Sequence, residues 1–216
     1  MLKLLKNRIF LIVILVILIS LIFYIFFSKN DYKIFESGNN MSNKSIEEIE
    51  KYILNISSYE AKIQVTIESN KNTNKYVILQ QYIKPNQYKQ TIIEPSNIEG
   101  TEIIYDGQNL SVTNSKLNLS KIYENYEYMA SNALTLESFI EDYEKAKEEN
   151  NTKLYEKNNL YVFEVKINNN NQYMENKILY IDKNTGKPTR LLVEDINEKT
   201  LVYILYNEIK INNFEL

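Results

Sequence analysis

Four carboxylates are the residues of this chain best placed, by type and spacing, to do chemistry. Glu164, Asp182, Glu194 and Asp195 lie in or beside segments with the character of β-strands, and two carboxyl groups flanking a bond are enough for glycoside hydrolysis. Their local settings argue against that role. Asp182 opens the turn Asp182-Lys183-Asn184-Thr185-Gly186-Lys187-Pro188, where its side chain serves as a local acceptor. Glu194 and Asp195 are adjacent, and neighbours on a strand point to opposite faces. The remaining repertoire is narrower still. The 216 residues include no histidine and no cysteine, which removes imidazole bases, thiol nucleophiles, His- and Cys-ligated metals and disulfides together. Four glycines are too few for a phosphate-cradling loop. The acidic stretch Ala133–Glu149 would attract a hard cation, but it lacks the loop of alternating oxygen ligands that calcium needs. The chain therefore reads as a non-enzyme, with no catalytic residue, cofactor or metal site expected.

Tyrosine is the residue type that remains, at 18 copies. In Leu201–Tyr206, Leu201, Tyr203 and Leu205 point one way and Val202, Ile204 and Tyr206 the other, so both faces are apolar. Leu160–Val165 has the same character. A strand apolar on both sides is covered on both sides. Either a helix takes one face and a folded-over sheet the other, or one face waits for a hydrophobic ligand or a protein partner. The strand Leu201–Ile211 has no proline, and Lys199 and Lys210 sit only near its ends. It thus fits an unblunted edge, and a homo- or heteromeric contact through it is expected, Tyr203 and Tyr206 contributing from opposite faces. Tyr180 is the third partner-contact candidate.

The elements that would position these residues follow from periodicity. Ser45 and Glu48 form a capping box ahead of Ile46, Ile49, Tyr52, Ile53 and Ile56, a helical stripe. From Tyr59 the period falls to two: Ala61, Ile63, Val65 and Ile67 alternate with Lys62, Gln64, Thr66 and Glu68. Strands are also expected at Lys75–Lys84, Gln87–Ile93, Thr101–Tyr105, Asn109–Thr113 and Lys116–Ile122. Asp106-Gly107-Gln108 is a hairpin signal between two of them. Ala133–Glu149 interrupts the series as a second helix. Leu136, Phe139, Ile140, Tyr143 and Ala146 form its apolar stripe, and its acidic residues, Asp142 included, crowd the other faces. Lys153–Glu156 and Leu160–Ile167 follow, with Asn158-Asn159 as a tight turn between them. The last fifth of the chain supplies a closing trio: Ile178–Asp182, Thr189–Ile196 and Leu201–Ile211. The expectation is a mainly β domain of ten or eleven antiparallel strands with two packed helices.

The N-terminus sets the surroundings. Ile9–Phe27 is an uncharged, almost wholly apolar run, long enough at ~1.5 Å per residue to cross a bilayer core of ~30 Å. Lys3, Lys6 and Arg8 precede it, which keeps residues 1–8 cytoplasmic and puts the remainder outside. The run is longer than the core of a cleaved signal, and Phe26-Phe27-Ser28-Lys29-Asn30 offers no small-residue cleavage site. A retained single-pass anchor over residues 9–27 is expected, then a polar tether over 28–44 and one domain over 45–216. The net charge is −3, and setting aside the three cytoplasmic cations leaves −6 for the rest. An acidic ectodomain argues against a nucleic-acid partner.

The order of elements resembles the LolA-like superfamily, the half-open antiparallel β-barrel of bacterial lipoprotein carriers. The residues that carry the resemblance are Asp106-Gly107-Gln108 and Leu179-Tyr180-Ile181-Asp182, then Gly186-Lys187-Pro188 and Tyr206-Asn207-Glu208-Ile209. It spans Ser45–Leu216. Within that superfamily, the single-pass N-terminus, the Asn/Lys/Ile/Tyr-rich composition and the helix Ala133–Glu149 look most like the clostridial spore-germination lipoprotein GerS and its relatives. That resemblance implies a non-catalytic envelope protein of sporulation or germination that binds and supports a cortex-modifying N-acetylmuramoyl-L-alanine amidase. The superfamily implies an alternative, a carrier holding a lipid or lipoprotein acyl chain. The chain departs from a lipoprotein in having no lipobox cysteine, so Ile9–Phe27 would have to anchor it.

Overall fold

A computed structural model describes residues 44–69, 71–126, 135–167 and 173–212, all within one compact unit, Ser37–Leu216. The expected membrane span at 9–27 and most of the tether lie outside these residues. Among the described residues no helix is long and apolar enough to cross a membrane.

The first helix, α1 (Ile46–Leu54), begins where the capping box predicts. Glu48 N donates to Ser45 Oγ at 3.3 Å and Ser45 N donates to Glu48 Oε2 at 2.7 Å. Two donors that the first turn would otherwise leave unpaired are thereby satisfied. Its apolar stripe of Ile49, Tyr52 and Ile53 is buried.

Among the described residues eleven strands follow: β1 (Ser58–Glu68), β2 (Thr73–Ile83), β3 (Gln87–Glu94), β4 (Glu102–Tyr105), β5 (Leu110–Asn114) and β6 (Leu119–Tyr123) before the second helix, α2 (Leu136–Glu148). After it come β7 (Thr152–Lys157), β8 (Leu160–Lys166), β9 (Asn176–Asp182), β10 (Pro188–Glu194) and β11 (Thr200–Asn212). Turn chemistry agrees with the pattern: Gly107 has φ +99°, and Asn158 and Asn159 take φ of +50° and +61°, as a two-residue hairpin requires. One segment differs from expectation. Ser115–Leu117 is a 3₁₀ turn rather than the start of a strand, because Asn114 folds back to accept from Leu117 N.

All strands join one antiparallel sheet in the order β6-β5-β4-β3-β2-β1-β11-β10-β9-β8-β7. Two meanders, β1–β6 and β7–β11, meet where the first strand pairs with the last. Ile63 lies opposite Tyr206 and Val65 opposite Ile204. This corrects the expectation that Leu201–Ile211 is a free edge. It is paired on both sides, by β1 and β10, and the edges are β6 and β7. A homodimer built by adding a strand to β11 is therefore ruled out, since its backbone groups already have partners.

Both helices lie over the second meander, α2 against β7 and β8 and α1 against β7 and α2. The core forms between them and the sheet, from Ile49, Ile53, Phe139, Tyr143, Phe163, Leu179, Ile181, Leu191 and Ile204 among others. At ~25 cal/mol per Å² of apolar area, this layer is the main favourable term in folding.

Candidate functional site

Alternation along the strands decides which tyrosines reach the surface. On the helix face stand Lys177, Leu179 and Ile181 of β9, Leu191 and Val193 of β10, and Ile204 and Tyr206 of β11, all buried. On the opposite face stand Tyr180, Arg190, Leu192 and Tyr203, half-buried. Among the described residues no helix covers them. Together with Thr66, Glu68, Thr200 and Leu201 they line an open groove of about 500 Å³. Tyr180 and Tyr203 are thus brought to one site. The Arg190 guanidinium lies over the Tyr180 ring, 3.9 Å from its centroid, a cation–π pair.

Tyr206 is not part of it. It points under α2, is only 7% exposed, and its hydroxyl has no hydrogen-bond partner among the described residues. Burial, followed by the nearby Glu137 carboxylate, pushes this phenol well above its ordinary range. The expectation of partner contacts from both faces of β11 is corrected by register: one face is core.

Two of the four carboxylates are held in turns. Asp182 accepts from Asn184 N, Thr185 N and Thr185 Oγ1 at 2.8–3.1 Å, and Asp195 accepts from Asn197 N and Lys199 N at 2.9 Å. Both are turn-formers. Glu164 accepts from the Tyr155 hydroxyl at 2.5 Å and faces Lys153 at 3.4 Å. That bond to Glu164, with burial second, pushes Tyr155 up to about 12. Glu194 is raised above the usual glutamate range by burial first and then by Glu198 and Glu164. Two residues on from Leu192, Glu194 shares its face of β10, and Glu68 of β1 lines the groove.

Several polar residues inside the protein have no counterpart in the expectations above. Lys177 Nζ donates to Asp142 Oδ2 at 2.6 Å and to Ser138 Oγ at 2.8 Å, the two charged side chains being 1% and 9% exposed. A Ser–Lys pair resembles a nucleophile and its base. Here the ammonium is ion-paired and Ser138 has no exposure, so the trio holds α2 on β9. Glu137 is also buried. It accepts from the Tyr59 hydroxyl at 2.6 Å, and Tyr59 accepts from Leu136 N. Burial raises the Glu137 carboxyl above its ordinary range, although the Tyr59 hydrogen bond opposes this. The acids of α2 are therefore not all on wet faces. The missed signal was in the pattern: Lys177 continues the inward series Leu179 and Ile181, and Ser138 and Asp142 are four apart on a helix.

A second groove, of about 340 Å³, lies on the helix face beside the N-terminus of α2, whose N-cap is Thr135. Val65, Ile67, Tyr76, Ile78, Tyr88, Ile92 and Ile103 form its walls, and Gln80, Gln90 and Thr135 add polar groups.

The family model "Sporulation protein YdcC-like" matches residues 6–214. No curated protein matches the chain. Among solved structures, it is similar to a chain in the structure of the CwlD amidase from Clostridioides difficile in complex with the GerS lipoprotein. Identity is 26%, over 79% of this chain and 92% of that one, with a TM-score of 0.49. It is also similar to the LolA superfamily protein NE2245 from Nitrosomonas europaea, at 10% identity over 80% and 96% of the two chains, TM-score 0.40. A third is MucB in complex with MucA(peri), at 12% identity over 79% and 56%, TM-score 0.40. Both resemblances expected from the sequence, to LolA-like proteins and to GerS, are thus among the relatives found. The chain belongs to the YdcC-like family of sporulation proteins.

Proposed function

We propose that this YdcC-like sporulation protein is a membrane-anchored, non-catalytic binding module that holds a protein partner in the groove on the helix-free face of its sheet. The observation that carries this reading is the convergence of Tyr180, Arg190 and Tyr203, from three neighbouring strands, on a surface with no helix over it among the described residues. Tyrosine and arginine dominate binding energy at protein interfaces because they bury large areas and keep a polar tip. Sporulation fits the family, and the partner we expect is a cortex-modifying N-acetylmuramoyl-L-alanine amidase. The anchor is the apolar run Ile9–Phe27.

Co-expression of the full chain with the amidase of its own organism tests this, with affinity measured on detergent-solubilised protein. Tyr203→Ala should weaken binding at least about tenfold and leave the melting temperature nearly unchanged. If affinity is unaffected, or if it falls only as far as stability does, the groove is not the contact.

The helix-face groove favours a second reading, a lipid or lipoprotein acyl chain held between sheet and helices, because most of its lining is apolar. Native mass spectrometry of the purified chain separates the two: a carrier retains bound lipid, and a protein-binding module does not.

A further inference from the structure

The outer groove is electrically two-ended. Arg190 stands at one end, across from Leu205, and Leu192 and Tyr203 form the next row. Glu194 lies four residues along β10 from Arg190, about 13 Å at strand spacing, and Glu68 lines the groove on β1. Arg190 makes no hydrogen bond or ion pair among the described residues, whereas Lys153, Lys177 and Lys183 each face a carboxylate. With its guanidinium carbon over the Tyr180 ring, Arg190 keeps N–H donors that no described residue uses, and these suit a planar acceptor. At the far end Glu68 lines the groove, Glu194 shares the face of Leu192 on β10, and Glu198 and Glu164 add negative charge beside it, Glu164 with Lys153 at 3.4 Å. The strands beneath, β9, β10 and β11, are paired on both sides. Strand addition therefore cannot supply recognition, which falls to side chains.

We infer that this groove takes an extended, bipolar segment of a partner protein: a carboxylate on Arg190, apolar side chains over Leu192 and Tyr203, and a basic side chain at the Glu68–Glu194 end. The inference rests on the outer-groove reading above and adds the chemistry of the occupant. Charge complementarity selects the ends, and the ~13 Å between them corresponds to about four residues of extended chain.

The probe is a fluorescein-labelled pentapeptide with aspartate and lysine at its ends and leucine-tyrosine-leucine between, titrated by fluorescence polarisation into the full chain in detergent micelles. Its companion has asparagine in place of the aspartate. The expected result is that the asparagine peptide binds wild type at least about tenfold more weakly. Arg190→Gln should weaken the aspartate peptide to the same degree and leave the asparagine peptide unaffected. Arg190→Lys should recover only part of the loss, since it keeps the charge without the planar fork. If Arg190→Gln weakens both peptides equally, the carboxylate contact is overturned while the groove remains a binding surface. If Tyr203→Ala leaves binding of the aspartate peptide unchanged, or wild type binds neither peptide, both the inference and the groove reading fall.

Discussion

Strands β9, β10 and β11 present nearly the same kind of side chain to both faces of the sheet, and the two faces end in opposite states. On the helix side, Leu179, Leu191 and Ile204 are at most 1% exposed and packed against the two helices. On the other side, Tyr180, Leu192 and Tyr203 are half-buried along an open groove. Hydrophobicity does not separate them; what covers them does. The difference teaches where to look for function in a two-sided apolar strand. The covered face carries stability, and the uncovered face is free to carry binding.

The largest effect that sharpens this contrast belongs to the covered face. Lys177→Met should destabilise the protein by about 3–5 kcal/mol, because Asp142 would remain buried without its cation. Chemical denaturation measures it. The double variant Lys177→Met with Asp142→Leu should regain most of that loss, since an apolar pair needs no desolvated charge. Equal damage from the single and double variants would show that packing, and not charge pairing, holds α2 on β9. Phe163→Ala, at a position with no exposure, should cost a similar ~3–5 kcal/mol through its cavity. Leu192→Ala on the other face should cost well under half as much. Similar losses from Phe163 and Leu192 would erase the distinction between faces.

Much of this arrangement was legible in the sequence, and the limits have physical causes. Alternation gave β1 its buried face at Ala61, Ile63 and Val65, because a half-buried strand is written in a period of two. The capping box placed the start of α1 to the residue. The neighbour of β11 was not legible. Its pairing with β1 joins residues about 140 positions apart, such as Ile63 and Tyr206, and local pattern says nothing of a contact at that separation. Lys177 was missed because a lysine at the mouth of a strand reads as its solvated end. Only the acid and hydroxyl of a helix elsewhere in the chain make burial there tolerable. The groove was half visible. Tyr180 and Tyr203 stood out as aromatic, but Arg190 became meaningful only once β9 and β10 put it over the Tyr180 ring.

A smaller effect on the covered face depends on pH. The folded state holds the Glu137 carboxyl above its unfolded value, chiefly by burial, so between the two values the folded protein binds the extra proton. The contribution of this group to stability is full below the unfolded value and is lost as pH rises through the folded one. Unfolding free energy measured from pH 4 upward should show this decline superimposed on the other titrations. Glu137→Gln keeps an acceptor for Tyr59 and should remove it. A variant whose stability follows the wild-type pH profile throughout would show that Glu137 is not the group responsible.

The smallest expected effect is the most direct comparison of the two faces, because it removes one hydroxyl from each side of the same strand. Tyr206 and Tyr203 are three residues apart on β11 and point to opposite faces. The Tyr206 hydroxyl is buried and unpartnered among the described residues, so it bears a desolvation cost with no hydrogen bond to offset it. Its ring, by contrast, packs in the core between the sheet and α2. Tyr206→Phe keeps the ring and deletes the cost. The variant should be as stable as wild type or up to about 1 kcal/mol more so, with partner affinity unchanged. Tyr206→Ala, which empties the site, should cost several times that amount. Tyr203→Phe should leave stability within about 0.5 kcal/mol, and any effect it has should fall on binding. The test is urea denaturation and partner affinity measured side by side for both phenylalanine variants. A Tyr206→Phe protein that folds normally and loses its partner would mean that this hydroxyl reaches the interface after all, and the division of labour between the two faces would fail.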